Sequence, residues 1–261
     1  GLTATPGKQT FGFFNQNLVM EYGYEQAVAD AVNVDFDVYR IKTEITEQGS
    51  TIDAGLVTRF RDRETRQERL EKLDEDFDYE AKQLDRSVVA QDQIRTIVKT
   101  FRDKLFVDIF PGRTEVPKTL IFADNDLPHT SHADELVNLA VDVFGRGQSF
   151  VRKITGRADR PLQRIREFRN RPEPGIVVSV DLMSTGVDIP DLEFIVFLRQ
   201  VKSRILFEQM LGRGTRKSEK YPNKSHFTLF DCFDGTLLAY FKTATAITAE
   251  PPDKATRTIA E

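Results

Sequence analysis

One cysteine, three histidines and no long apolar run limit what this 261-residue chain can be. A single Cys232 cannot build an internal disulfide framework, so a reducing, cytoplasmic setting is the default expectation. His129, His132 and His226 are too few, and too irregularly spaced with Cys232, to make a zinc site. No apolar stretch approaches the roughly 20 residues that a membrane span requires. Nothing has the layout of a cleavable signal segment, and no membrane partner is expected. A phosphate loop is missing too. The opening Gly1 to Lys8 imitates one, but the G-x-x-x-x-G-K pattern needs glycine where Leu2 stands. Gln9 also replaces the Ser or Thr that would hold magnesium. No metal-holding strand end of the D-E-x-H kind is present, so the chain is not expected to contain a complete ATPase, and no residue is assigned to a metal.

What is present is an ordinary globular composition, 39% hydrophobic and 30% charged. The length suffices for one large or two small domains with real cores. A net charge of −4 argues against a small, uniformly basic DNA-coating protein. The sum hides local asymmetry, however. Arginine and acidic residues crowd positions 59–86, and 152–171 carries eight basic residues against Asp159 and Glu167. Such patches matter more for phosphate binding than the total. The chain opens on Gly1-Leu-Thr-Ala-Thr-Pro without an initiator Met, which is expected of a fragment of a longer polypeptide.

Three stretches separate by pattern. Residues 1–46 mix turn formers with a helix-like piece over 24–32 and an alternating, strand-like piece over 34–41. Residues 47–117 are charge-rich and read as a helical insertion or linker. Within them Val89, Gln93, Ile94, Ile97, Val98, Phe101 and Leu105 outline an amphipathic helix. The acidic run between Arg61 and Asp85 reads as a solvated arm. From Lys118 the rhythm changes. Strands are expected over 119–123, 150–154, 175–180, 194–198 and 226–233. Helices are expected after Ser131, over 162–168 and over 203–211. Apolar strands alternating with helices predict a parallel sheet covered on both faces, an α/β fold whose ligands gather in the loops after the strands.

Three of those loops could carry chemistry. After the third strand comes Asp181-Leu-Met-Ser-Thr-Gly-Val-Asp-Ile-Pro190, where Gly186 permits a tight path and Asp188 can accept hydrogen bonds from sugar hydroxyls. A plain polar turn explains the same residues. Gln209-Met-Leu-Gly-Arg-Gly-Thr-Arg216 ends a helix and strips bulk from around Arg213 and Arg216. Guanidinium groups held in this way suit a transferring phosphoryl group. The alternative is a solvated basic helix end. Ile154-Thr-Gly-Arg157 is a small-residue turn that lets backbone amides approach a phosphate, or else simply basic surface.

Taken in order, these pieces resemble the later motifs of superfamily 2 helicases and translocases. Thr3-Ala-Thr-Pro6 resembles motif III, Lys118-Thr-Leu-Ile-Phe-Ala123 motif IV, Asp181 to Pro190 motif V and Gln209 to Arg216 motif VI. The resemblance implies a RecA-like second motor lobe over 118–246, preceded by the end of the first lobe over 1–46 and followed by a linker or tail over 247–261. It implies catalytic roles for Arg213, Arg216 and Gln209, and nucleotide binding by Gly186 and Asp188. Nucleic acid would be held by Thr155, Gly156, Arg157 and Thr185, with Thr3 and Thr5 coupling the two. ATP and Mg2+ would sit mainly on the first lobe, outside this chain.

A narrower match rests on Tyr22-Gly-Tyr-Glu-Gln-Ala-Val-Ala-Asp30, the charged stretch before motif IV, the Phe-Ala-Asp-Asn-Asp run at 122–126 and the G-R-G-T-R form of motif VI. These are similar to the restriction subunit of type I restriction–modification enzymes. Pro128, interrupting the loop after that run, departs from the family pattern. The implied function is a motor that pumps double-stranded DNA, with modification and specificity subunits as partners. Two other readings stay open, another superfamily 2 DNA or RNA helicase, and a non-catalytic doubly wound domain binding a nucleotide or protein.

Overall fold

Short apolar runs separated by polar turns, with β-branched and aromatic residues concentrated in the runs, favour buried strands joined by helical crossovers. The computed structural model follows this rule. It describes residues 12–15, 17, 19–20, 22–42, 50–52, 57–61, 68–72, 77–79, 91–128, 131–180, 188–199, 204–232 and 257–260. In chain order these form α1 (Tyr24–Ala29), β1 (Asp35–Lys42), β2 (Ser50–Ile52), β3 (Val57–Arg61), β4 (Glu68–Lys72) and β5 (Phe77–Tyr79). Next come α2 (Gln91–Lys104) with a π-helical turn at Leu105–Ile109, β6 (Lys118–Ala123), α3 (His132–Phe144), β7 (Val151–Lys153) and α4 (Pro161–Asn170). The chain continues through β8 (Ile176–Ser179), β9 (Leu192–Leu198), α5 (Arg204–Leu211), β10 (His226–Asp231) and β11 (Arg257–Ala260). No helix among the described residues is long and apolar enough to cross a membrane.

Seven strands make one sheet in the order β11-β1-β10-β9-β6-β8-β7, and every pairing in it is parallel. The central strands β6, β8 and β9 are buried on both faces, with side chains alternating between two cores as the pleat requires. Ile121, Ile176, Val178, Phe194 and Val196 face a core shared with α2 and α3. Leu120, Phe122, Val177, Ile195 and Phe197 face one shared with α4 and α5. This is the RecA-like arrangement expected of the sequence.

Helix ends follow local chemistry. The Ser131 side chain accepts from the Asp134 backbone N–H to cap α3, and Gly145 closes that helix at φ 61°, a left-handed value that glycine adopts without strain. Pro161 occupies the first turn of α4, where its missing N–H costs nothing.

One expectation needs correction. The strand over 34–41 was assigned to the end of a preceding lobe, but Asp35 to Arg40 pair in register with His226 to Asp231. It therefore belongs to the same sheet as 118–231, a non-local pairing that no local pattern announces. The stretch 47–117, expected to be a charged, partly helical insertion, also contains two antiparallel ribbons, β2 with β5 and, nested between them, β3 with β4. Its helical part is α2, whose apolar stripe covers the sheet. There Phe101 stacks on Phe194 with ring centroids 4.6 Å apart and also touches Phe144 and Phe230.

Phe101 thus fastens the charged segment to the sheet, although it lies 17 residues before β6 begins. Phe101→Ala should destabilise the fold by about 3–5 kcal/mol, the usual cost of deleting a buried phenylalanine. Urea unfolding would measure it. A loss below about 1 kcal/mol would mean that α2 is not part of the cooperative core.

Candidate functional site

Because all the sheet's pairings are parallel, its strands present their amino ends on one edge and their carboxyl ends on the other. Among the described residues, those expected to carry function divide between these edges. This corrects the expectation that all of them would follow strands at the carboxyl edge.

At the amino edge, α5 runs back from the end of β9 and stops at Leu211, and the chain turns through Arg213 to Arg216. Gly214 is required here by close approach, because a Cβ at this position would stand 2.4 Å from the Phe227 ring. The turn is held on every side. The Thr215 carbonyl accepts from the Val34 N–H at 2.8 Å, and Arg216 bridges to Asn33, just ahead of β1. The Thr215 hydroxyl donates to the Gly212 carbonyl.

Asp188 approaches this turn from the loop before β9. Its carboxylate lies 3.6 Å from Arg216 Nε and 3.8 Å from an Arg169 terminal nitrogen. Both distances are too long for charge-assisted hydrogen bonds. One carboxylate oxygen, Oδ1, is buried and takes no hydrogen bond. Arg213 is half-buried, and its Nε donates to the Gln209 carbonyl at 3.2 Å. Burial pushes its guanidinium below the ordinary value, against the pull of Asp188 and with the push of Arg216. An arginine nonetheless stays charged. Arg216 itself is exposed, and Gln209 is half-buried one turn before Arg213.

Lys224, two residues ahead of β10, was not singled out in the sequence. Its buried ammonium donates to the carbonyls of Pro190 (2.9 Å), Gly214 (3.0 Å) and Arg216 (2.7 Å). Burial brings it down to about 8, opposed by Glu193, Asp191 and Asp188. Ser218 adds a second tie by donating to Asp191.

At the carboxyl edge, the turn after β7 brings Thr155, Gly156 and Arg157 beside the loop after β6. Asp126 organises them, although the sequence marked it only as part of a run. Its carboxylate accepts from Ser131 (2.8 Å), Lys153 (2.8 Å) and Thr155 (2.5 Å), and its carbonyl accepts from Arg157 (2.8 Å). The Thr155 hydroxyl is therefore buried and committed to Asp126, whereas Gly156 and Arg157 are exposed. Thr3, Thr5, Thr185 and Gly186 lie outside the described residues.

Burial alone would raise the Asp126 carboxyl, but the hydrogen bonds from Lys153, Thr155 and Ser131 outweigh it and hold the group below its ordinary 3.8. A carboxylate depressed in the folded state stabilises the fold above its unfolded value and loses that contribution as pH falls through the folded one. Asp126→Asn should lower stability at neutral pH by about 1–3 kcal/mol. The gap from wild type should close as pH drops below about 4. Urea midpoints across that range would test it, and a gap independent of pH would contradict the assignment.

The chain has relatives among known proteins. Residues 115–218 match the helicase conserved C-terminal domain. Over 245 residues the chain is 34% identical to the type I restriction enzyme EcoKI endonuclease subunit of Escherichia coli strain K12, covering 89% of this chain and 20% of that protein. Over 258 residues it is 28% identical to the Escherichia coli EcoAI endonuclease subunit, covering 96% of this chain and 28% of the relative. The chain thus spans under a third of the length of these curated relatives.

Among solved structures, a fragment assigned to an HsdR subunit of a type I restriction enzyme from Vibrio vulnificus YJ016 aligns with a TM-score of 0.63 at 21% identity. That match covers 99% of this chain and 42% of the other. The ATP-dependent type ISP restriction–modification enzyme LlaBIII bound to DNA aligns with a TM-score of 0.52 at 14% identity, over 92% of this chain and 16% of the other. At these identities the structural likeness speaks to the fold.

Proposed function

We propose, proceeding from a chain that carries a helicase C-terminal domain and is homologous to the endonuclease subunits of type I restriction enzymes, that it is the second lobe of an ATP-driven double-stranded DNA translocase. In this reading the amino edge faces ATP and Mg2+ held on the first lobe, and the carboxyl edge faces the DNA backbone. Modification and specificity subunits complete the assembly.

The observation that carries the reading is the pairing of Asp188 with Arg216. Asp188 keeps a buried acceptor oxygen without a hydrogen bond, 3.6 Å from an exposed guanidinium. A native fold rarely tolerates such an acceptor without a role for it. A sugar hydroxyl is a suitable donor. The ion pair is long and partly exposed, so it is worth at most about 1 kcal/mol. Arg216 can therefore leave Asp188 for a phosphate at little cost. Bound ATP supplies the phosphoanhydride whose hydrolysis drives the cycle. Arg213 and Arg216 then act on the negative charge that develops on the transferring phosphoryl group, with Gln209 beside them on α5.

At the other edge, Gly156 offers an open backbone and Arg157 a guanidinium, both positioned by Asp126 and Thr155. Contacts of this type grip phosphates without reading bases. A grip that strengthens and relaxes with the nucleotide cycle would move the lobe along duplex DNA.

In the full-length protein, Arg216→Ala should lower duplex-stimulated ATP hydrolysis by about 10³-fold or more, as loss of an arginine finger does. Steady-state hydrolysis with duplex DNA, and with single-stranded RNA as control, would test this. Hydrolysis indifferent to Arg216 would reduce the motif to a basic helix end. Stimulation by RNA instead of duplex DNA would point to another helicase of the superfamily.

A further inference from the structure

We infer that Lys224 is a positioning residue for the nucleotide-facing edge, tying the Asp188 segment to the Arg216 turn so that carboxylate and guanidinium are presented together. The inference rests on the reading of Asp188 and Arg216 given above.

Asp188 and Arg216 come from different loops, and their own 3.6 Å contact is too weak to hold those loops in register. Lys224 supplies the link. Its ammonium has three donors, and three carbonyls accept them: Pro190, two residues after Asp188, and Gly214 and Arg216, on either side of Thr215. The intervening Thr215 carbonyl is taken by the Val34 N–H. All three carbonyls from 214 to 216 are thereby engaged, and the backbone carrying the Arg216 side chain cannot rotate without breaking a buried hydrogen bond.

The lysine is itself anchored. Its N–H donates to the Tyr221 carbonyl at 2.9 Å, and His226, two residues on, begins β10. The Ser218–Asp191 bond crosses the same gap beside it. Lysine suits the task because a compact ammonium directs three donors at carbonyls in different directions, whereas a guanidinium holds its donors in one plane. Lys224 touches no reacting atom in this account. It acts through the two loops it joins.

The test uses the full-length protein in four forms, wild type, Lys224→Met, Arg216→Ala and the double variant, assayed for duplex-stimulated ATP hydrolysis. Lys224→Met keeps the side-chain length and removes the donors. It should lower kcat by about 100-fold, the scale of a misplacement near 1 Å, and raise KM for ATP through the loosened Asp188, while leaving affinity for duplex DNA little changed. In the Arg216→Ala background it should add almost nothing to the loss of kcat, because residues acting as a unit are not additive.

Near-wild-type turnover of Lys224→Met would overturn the inference. So would losses of kcat that multiply in the double variant, since they would mean an effect on turnover independent of Arg216. If Arg216→Ala alone has no effect, the underlying nucleotide reading fails instead, so the two failures are distinguishable. Rates are read at a temperature where melting curves show each variant folded. If Lys224→Met does not fold, Lys224→Gln, which retains two donors, carries the same comparison.

Discussion

Parallel pairing is the constraint on which the rest of this structure depends. It forces each connection between sheet neighbours to cross the full length of the sheet, which supplies the helices that cover both faces. It also separates the strand ends into two edges of different character. The turn after α5 and the loop before β9 meet at the amino edge, while the turns after β6 and β7 meet at the carboxyl edge. A motor has to bind a nucleotide and a polymer at once and let one influence the other. Opposite edges of one stiff sheet offer two sites that share a core without sharing side chains.

The amino edge carries a particular electrostatic problem. Helices end there, and their last carbonyls point toward the strand starts. Two buried lysines answer it in the same way. Lys118, the first residue of β6, donates to the carbonyls of Phe168 in the last turn of α4 and of Arg171 and Pro174 after it, and lies over the Phe168 ring. Lys224 does the same for the turn after α5. Burial brings both down to about 8. In each case the desolvation of a charge is offset by several carbonyls that would otherwise be buried without donors. Arg213 and Arg216 are different. The Arg213 Nε donates to the Gln209 carbonyl at the end of α5, and Arg216 faces Asp188 across 3.6 Å.

Much of this was legible in the residues. The strands β6 to β10 announce themselves as apolar runs between polar turns, and Ser131 with Asp134 marks the start of α3; β11 falls in the stretch 247–261 expected to be a linker or tail. The motif residues Asp188, Arg213 and Arg216, read from loops 25 and more residues apart, meet in space. What was not legible shares one physical cause, dependence on remote backbone. β1 pairs with strands that come more than 180 residues later, β10 and β11. Lys224 is a lone lysine in a polar loop, and its three acceptors are carbonyls, which every residue has. Asp126 sits in a run of acids and becomes distinctive only when β7 brings Lys153 and Thr155 to it. The ribbons at 50–79 were hidden because dense charge masks the alternation that marks a strand.

The central claim is that nucleotide and DNA engage opposite edges of this sheet. Hydrogen–deuterium exchange on the full-length protein tests it most directly, with a non-hydrolysable ATP analogue and duplex DNA added separately. The account predicts that the analogue slows exchange at 188–191 and 213–218, whereas duplex DNA slows it at 154–158 and in the loop after β6. Protection by both ligands at the same edge, or with the two edges exchanged, would contradict it.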